Sequence, residues 1–415
     1  MIFSKIKNRK EVVAWSMYDF ANQPFTNIIV TFIYSSFFTK VIADNEQIGT
    51  TMWANAIAIS AIIVALLSPL LGAIADSGGY RKFFLIFFTW VTAIFSMLLY
   101  FPEKGDVLIA LTFFIIANIS FEMGTVFCNS YLSDITNKKN FGKVSGFAWG
   151  LGFFGGLIAL FLSLLIFPEM NSIDIRKINI LVGIWFLIFS IPTFLFVKDA
   201  KKEKLSRNHI IKSFSSIKIT FSEIKNYKLI FQFLIARLFF NDALVTIFAL
   251  GGVYAVTSLD FTFQEVMKLG IVLNIAAGIG SFLFGYLEDK IGVKIVINLT
   301  LIVLILATLI AIIAPETNFP KELFWFAGVL IGLMVGPNQS CSRSLMAKIT
   351  PKEKLNEFFG FFALTGKATS FIGPLLFGII SSLYSQQMAL WVVVVLFFLG
   401  FILFNRIKLN SQNEI

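Results

Sequence analysis

The chain has 415 residues, 57% of them hydrophobic and only 14% charged, with a formal net charge of +10. A soluble domain carries about 25% charged residues; here the charges gather in short segments between apolar runs of about twenty residues, the length at which a helix crosses a bilayer. That pattern argues against a soluble enzyme or nucleic-acid binder, and against an outer-membrane barrel, whose shorter strands would alternate polar with apolar.

Spans are predicted at 12–42, 51–75, 83–101, 107–133, 144–167, 179–197, 229–257, 263–287, 295–314, 322–346, 358–384 and 388–406. The basic start, MIFSKIKNRKEVVAW, lacks a short apolar stretch with a small-residue cleavage site, so it is not read as a cleaved signal. The first span carries WSMYDFANQPF, with Asp19, Asn22 and Gln23 ahead of Pro24, which predicts a kink. The fourth carries Glu122 in NISFEMGTVFCNSYL, beside Asn118 and Asn129. GFAWGLGFFGG in the fifth lacks both a preceding strand and a Lys-Ser/Thr ending, so its glycines read as helix packing and not as a nucleotide loop. The stretch 198–228 is a basic linker and holds the lone histidine, His209. The seventh span carries Arg237, Asn241 and Asp242; the tenth and eleventh carry Arg343 and Lys367. Cys128 and Cys341 both lie in apolar runs and imply no disulfide framework.

Loop charges give the orientation. With the N-terminus inside, inner segments hold 25 of the 34 Lys and Arg residues, outer loops six and spans three. The positive-inside rule then puts both termini in the cytoplasm, in a multi-pass protein of the inner (plasma) membrane.

An internal repeat divides the chain. A shift of 213 residues lays LGAIADSGGYRK on FGYLEDKIGVKI, so that Gly72, Asp76, Gly79 and Arg81 fall on Gly285, Asp289, Gly292 and Lys294. A shift of 214 lays Gly146 on Gly360 and Gly152 on Gly366. Duplicated halves are expected: a six-helix bundle at 1–197, the linker at 198–228 and a second bundle at 229–415. In each motif the glycines permit close helix contact and a tight turn, and the Asp either pairs with a cation or caps the next helix. Such loops read as gate hinges, not substrate sites.

Six ionisable residues fall well inside spans, away from their ends: Asp19, Glu122, Arg237, Asp242, Arg343 and Lys367. Each costs about 2.5–3.5 kcal/mol at a helix centre on insertion scales, so each should face a water-filled cavity or a partner. Asp19 and Asp242 suit a proton or a substrate amine; Asp242 alternatively pairs with Arg237. Lys367 and Arg343 suit a substrate carboxylate, or Arg343 serves a gate. Glu122 suits proton coupling or an ion pair. Asn22 and Asn241 add polar lining. No catalytic triad, zinc ligand set or nucleotide loop is present, so no enzyme, metal site or cofactor is expected.

The segments WSMYDFANQPF, SPLLGAIADSGGYRK, GKVSGFAWGLGFFGG, LFFNDALVTIF and SRSLMAKITPKEKLNEFFGFFALTGKATSFIGPLLFG together resemble the vacuole-effluxer-like branch of the major facilitator superfamily, over nearly the whole chain. The resemblance implies an all-α membrane protein of about twelve helices in two pseudo-symmetric halves. It implies a secondary transporter with small amino acids as the substrate class. By position Asp19 matches the family's acidic helix 1 motif, Asn241 and Asp242 its helix 7 motif, and Arg343 and Lys367 its basic helix 10–11 positions. Gln23-Pro24 and Pro337-Asn338 depart from the pattern, where small residues and a more glycine-rich pair are usual. The expected function is alternating-access transport of a small polar solute by a monomer, with proton coupling as a further hypothesis. The competing readings are a lipid or amphiphile translocase and a non-transporting receptor on the same fold.

Overall fold

The structure is a computed structural model and describes residues 8–169, 171–199, 219–220, 222, 226–367 and 371–409. Most of the 198–228 linker, including His209, lies outside the described residues. Among the described residues, twelve helical segments are long and apolar enough to cross a membrane. No strand occurs among the described residues.

The elements in order are α1 (Arg9–Pro24), α2 (Glu46–Gly78), α3 (Arg81–Leu98), α4 (Val107–Ser130), α5 (Phe141–Ile166), α6 (Ser172–Phe196), α7 (Lys228–Leu259), α8 (Phe263–Ile291), α9 (Val293–Ile313), α10 (Pro320–Ile349), α11 (Leu355–Lys367), α12 (Ile372–Leu383) and α13 (Gln386–Asn405). Within the eleventh span, α11 and α12 are described on either side of residues 368–370.

Pro24 shapes the first span more than a simple kink would. It has no N–H to donate, so the chain beyond it widens into π-helical turns at Phe25–Phe32 and Phe38–Ile42, around one α-turn at Tyr34–Phe37. The Phe20 carbonyl, four residues before the proline, instead accepts from the Trp185 indole N–H of α6 at 3.3 Å. Satisfying that carbonyl matters because lipid offers no donor.

The chain folds into two compact units: Met1–Thr136, Leu151–Lys218 and Pro351–Leu364 form one, and Asn137–Gly150, Ile219–Thr350 and Thr365–Ile415 form the other. In the first, α1 packs on α6 and α3 on α4. Its core is aromatic: Trp53 stacks on Phe114 at 3.9 Å, with Phe38 and Tyr34 against the same indole. In the second, α10 packs on α8 and α9, and α7 on α13. Its core gathers Tyr254, Phe261, Leu269, Phe324 and Phe377, and the Tyr254 hydroxyl donates to the Ala311 carbonyl at 3.0 Å. Several buried hydroxyls, those of Ser16, Ser60, Thr89, Thr246 and Ser281, return to carbonyls of their own helices, so their burial leaves no open donor.

Candidate functional site

The two motif copies adopt one geometry. Gly79 has φ +65° and Gly292 φ +94°, backbone that glycine takes without a Cβ penalty and that turns the chain between consecutive spans. In the first copy, Asp76 Oδ1 accepts from the Asn356 amide side chain at 2.6 Å and the Asn356 backbone N–H at 3.2 Å, and Oδ2 accepts from the Glu357 N–H at 2.8 Å. In the second, Asp289 Oδ1 accepts from the Gly142 N–H at 2.9 Å and Oδ2 from the Lys143 N–H at 3.0 Å. The aspartates therefore cap helices, but not the next helices as expected. Asp76 holds the start of α11 and Asp289 the start of α5. The exposed donors and positive dipole end of a helix N-terminus suit a carboxylate in both places.

Small residues bring these partners close enough. A Cβ on Gly72 would meet the Asn356 backbone, and one on Gly285 would lie 2.6 Å from the Gly142 carbonyl oxygen. Ser68 donates to the Gly360 carbonyl at 3.0 Å, and Ser145 to the Ser340 carbonyl at 2.7 Å.

The cations differ between copies. Arg81 pairs with Asp134, lies 3.7 Å from Asp199, donates to the Ser130 carbonyl at 3.2 Å, and stands 3.7 Å over the Tyr131 ring. Lys294 instead donates to the carbonyls of Ile407 at 2.6 Å and Asn405 at 3.1 Å, at the end of α13. Arg343, the tenth-span cation, donates through Nε to the Ser145 hydroxyl and through Nη2 to the Ser145 carbonyl, both at 2.9 Å, with Trp149 beside it at 5.7 Å. These contacts belong to the start of α5.

One pair escaped the sequence reading. Glu288 and Lys348 were expected in the inner segments 288–294 and 347–357, yet they are fully buried, with Lys348 Nζ 3.1 Å from Glu288 Oε1. Ser344 also donates to that carboxylate. At the repeat-related positions stand Ala75 (shift 213) and Asp134 (shift 214), so the first copy has no equivalent pair.

The mid-span polar residues of α7 converge on the eleventh span. The Asn241 amide donates to the Gly366 carbonyl at 3.2 Å, next to the end of α11, and accepts from the Gln339 amide of α10 at 3.2 Å. Asp242 Oδ2 accepts from the Gly373 N–H at 2.9 Å, in the first turn of α12. Its Oδ1 has no hydrogen-bond partner among the described residues. Consecutive residues of α7 thus hold the Gly366 carbonyl of α11 and the first turn of α12. The amide meets a carbonyl, and the carboxylate meets an N–H in the first turn of α12, where the partial charge of a helix N-terminus favours an anion. Arg237, one turn earlier, borders Gly366: a Cβ there would sit 3.2 Å from the guanidinium. Lys367 ends α11, half-buried. Gln339 was not singled out from sequence; only its polarity within an apolar span, next to Pro337-Asn338, marks it.

Asp19, Asn22 and Glu122 lie in the other unit. Asp19 and Glu122 are half-buried on α1 and α4, and Asn22 is buried just before Pro24. Gly152 of α5 brings its backbone against Asp19, where a Cβ would lie 3.2 Å from the Asp19 carbonyl oxygen. Among the described residues, no group of three or more His, Cys, Asp or Glu side chains could hold a metal.

Twelve spans, duplicated capped turns and a polar cluster within the spans define an MFS-type secondary transporter, an all-α membrane protein. The solved structure of the proton:xylose symporter XylE with 6-bromo-6-deoxy-D-glucose superposes with a TM-score of 0.76 at 12% identity, covering 98% of this chain and 97% of that one, which shows the fold. The family model described as "Vacuole effluxer Atg22 like" matches residues 48–142 and 133–414, and the chain belongs to that family. Among relatives, the MFS-type transporter YxiO of Bacillus subtilis is 28% identical over 98% of this chain and 96% of its own length. Autophagy-related protein 22 of Kluyveromyces lactis is 26% identical over 57% of this chain, and the match spans 52% of that relative.

Proposed function

We propose that this chain carries a small polar solute, an amino acid, across the plasma membrane by alternating access coupled to protons. The observation that carries the proposal is the α7 cluster: Asn241, Asp242 and Gln339 gathered around the ends of α11 and α12 within the membrane. An amino acid brings an ammonium that suits the Asp242 carboxylate and a carboxylate that suits Lys367. Asp19, Asn22 and Glu122 form the proton path. Arg343 with Ser145, and Asp76 and Asp289 with the helix starts they hold, act as the gate. The halves are residues 1–197 and 229–415, joined by 198–228, in a monomer with both termini cytoplasmic.

Counterflow in proteoliposomes tests this. Vesicles loaded with an amino-acid mixture should take up one labelled amino-acid group, and Asp242→Asn should cut that uptake about tenfold, a loss of about 1.4 kcal/mol. Glu122→Gln should keep exchange but lose accumulation driven by an imposed pH gradient. If no amino acid exchanges while labelled phospholipid scrambles, the amphiphile translocase replaces the amino-acid transporter.

A further inference from the structure

Two lysines converge on one exposed tyrosine at the end of α8. Lys290 Nζ stands 4.3 Å from the centroid of the Tyr286 ring, and Lys143 Nζ, from the start of α5, stands 5.1 Å from it. Tyr286 is 50% exposed. Among the described residues neither lysine forms an ion pair, and the neighbouring carboxylates are engaged elsewhere. Asp289 receives the Gly142 and Lys143 N–H groups, and Glu288 is paired with Lys348 inside the protein.

Below the lysines the surface turns apolar along one face. Ile279, Leu283, Tyr286 and Lys290 follow one another at spacings of four, three and four, a single stripe of a 3.6-residue helix. Ile279 and Leu283 are exposed, and Phe282 packs beside them against Phe147 of α5 at 5.7 Å. Gly150 leaves room for the Phe282 ring, where a Cβ would come within 2.6 Å. From the end of α8 inward the stripe reads cation, amphipathic ring, aliphatic side chains. That order matches a phospholipid read from its phosphate through its glycerol to its acyl chains.

The internal repeat supplies a comparison. The residues related to Tyr286, Lys290 and Lys143 are Ala73, Ser77 and Glu357. The first copy keeps the Asp-capped helix start without a lysine at any of these three positions, and its Glu357 pairs with Lys354 instead, so the capped turn does not itself require this basic cradle.

We propose that Lys143, Tyr286 and Lys290 form a binding site for one anionic phospholipid, with the phosphate held by the two ammonium groups and an acyl chain laid along Leu283 and Ile279. Juxtamembrane Lys residues are attracted to anionic headgroups, and an aromatic ring with a polar tip suits the interface between headgroup and chain.

The test is the melting temperature of the purified full-length protein in neutral detergent. Dioleoylphosphatidylglycerol should raise it above the value in dioleoylphosphatidylcholine by about 2 °C or more. The difference should vanish in Lys143→Gln/Lys290→Gln and persist in Lys138→Gln/Lys139→Gln, which removes the same charge from the adjoining loop. Should the first variant not fold, Lys143→Arg/Lys290→Arg must keep the difference and Lys290→Gln alone must reduce it. Equal melting in the two lipids, a difference retained without both lysines, or one lost equally in the loop variant would overturn the site. A matching rise with soluble glycerol 1-phosphate would overturn the membrane lipid as its occupant.

Discussion

Lys348 and Glu288 neutralise each other where neither meets water. Removing one partner leaves an uncompensated charge, which in buried pairs costs about 3–5 kcal/mol, whereas replacing both with uncharged residues of similar size is often neutral. Lys348→Met should therefore lower the melting temperature sharply, and Glu288→Gln/Lys348→Met should restore most of it. A single variant as stable as the native chain would show that the pair carries little. Both residues stood in the sequence beside other charges, so EDKIGVK and AKITPKEK read as loop. The signal that was there is an absence: SCSRSLMAKIT has no breaker, and α10 runs on to Ile349. Asn241 and Asp242 were legible because polar residues in an apolar run are conspicuous. The ends of α11 and α12 that they serve were not, since those partners lie 125 and 131 residues further along the chain.

Among the elements, the turn between α8 and α9 depends on one backbone conformation. Gly292 has φ +94° and ψ 148°, a region where a Cβ costs about 1–3 kcal/mol. Gly292→Ala should lower the melting temperature, and pairing it with Asp289→Ala should cost less than the sum, because both changes loosen the same end of α8. Strict additivity would show that turn and cap act separately. The motif glycines and aspartates were legible from their repeat. What the aspartates grip was not, because Asn356 is 280 residues from Asp76 and nothing local encodes that meeting. Pro24 announced a disturbance, but the Trp185 indole that satisfies the freed Phe20 carbonyl comes from another helix, 165 residues along the chain.

For the whole molecule, the distribution of basic residues makes a claim that labelling can check. With both termini inside, a cysteine replacing Lys104 should react with a membrane-impermeant maleimide in intact cells, and one replacing Lys139 should react only after lysis. The native Cys128 and Cys341 are buried, which keeps the background low. The opposite pattern would invert the topology. Twelve spans and their order were legible because bilayer thickness leaves helices few alternatives. The start of α5 belongs with the second unit and most of α11 with the first, where capped helix starts and close glycine packing hold them.

The adjacency of Asn241 and Asp242 makes α7 intolerant of a change in length. Their side chains leave the helix about 100° apart, so the two backbone groups they hold fix both the rotation of α7 and its depth. Deleting one residue between Arg237 and Asn241 would turn everything beyond it by that angle and shift it by about 1.5 Å. The amide would lose its carbonyl and the carboxylate its N–H in the same stroke. Inherited variation in this stretch should therefore proceed by substitution, with the number of residues held constant.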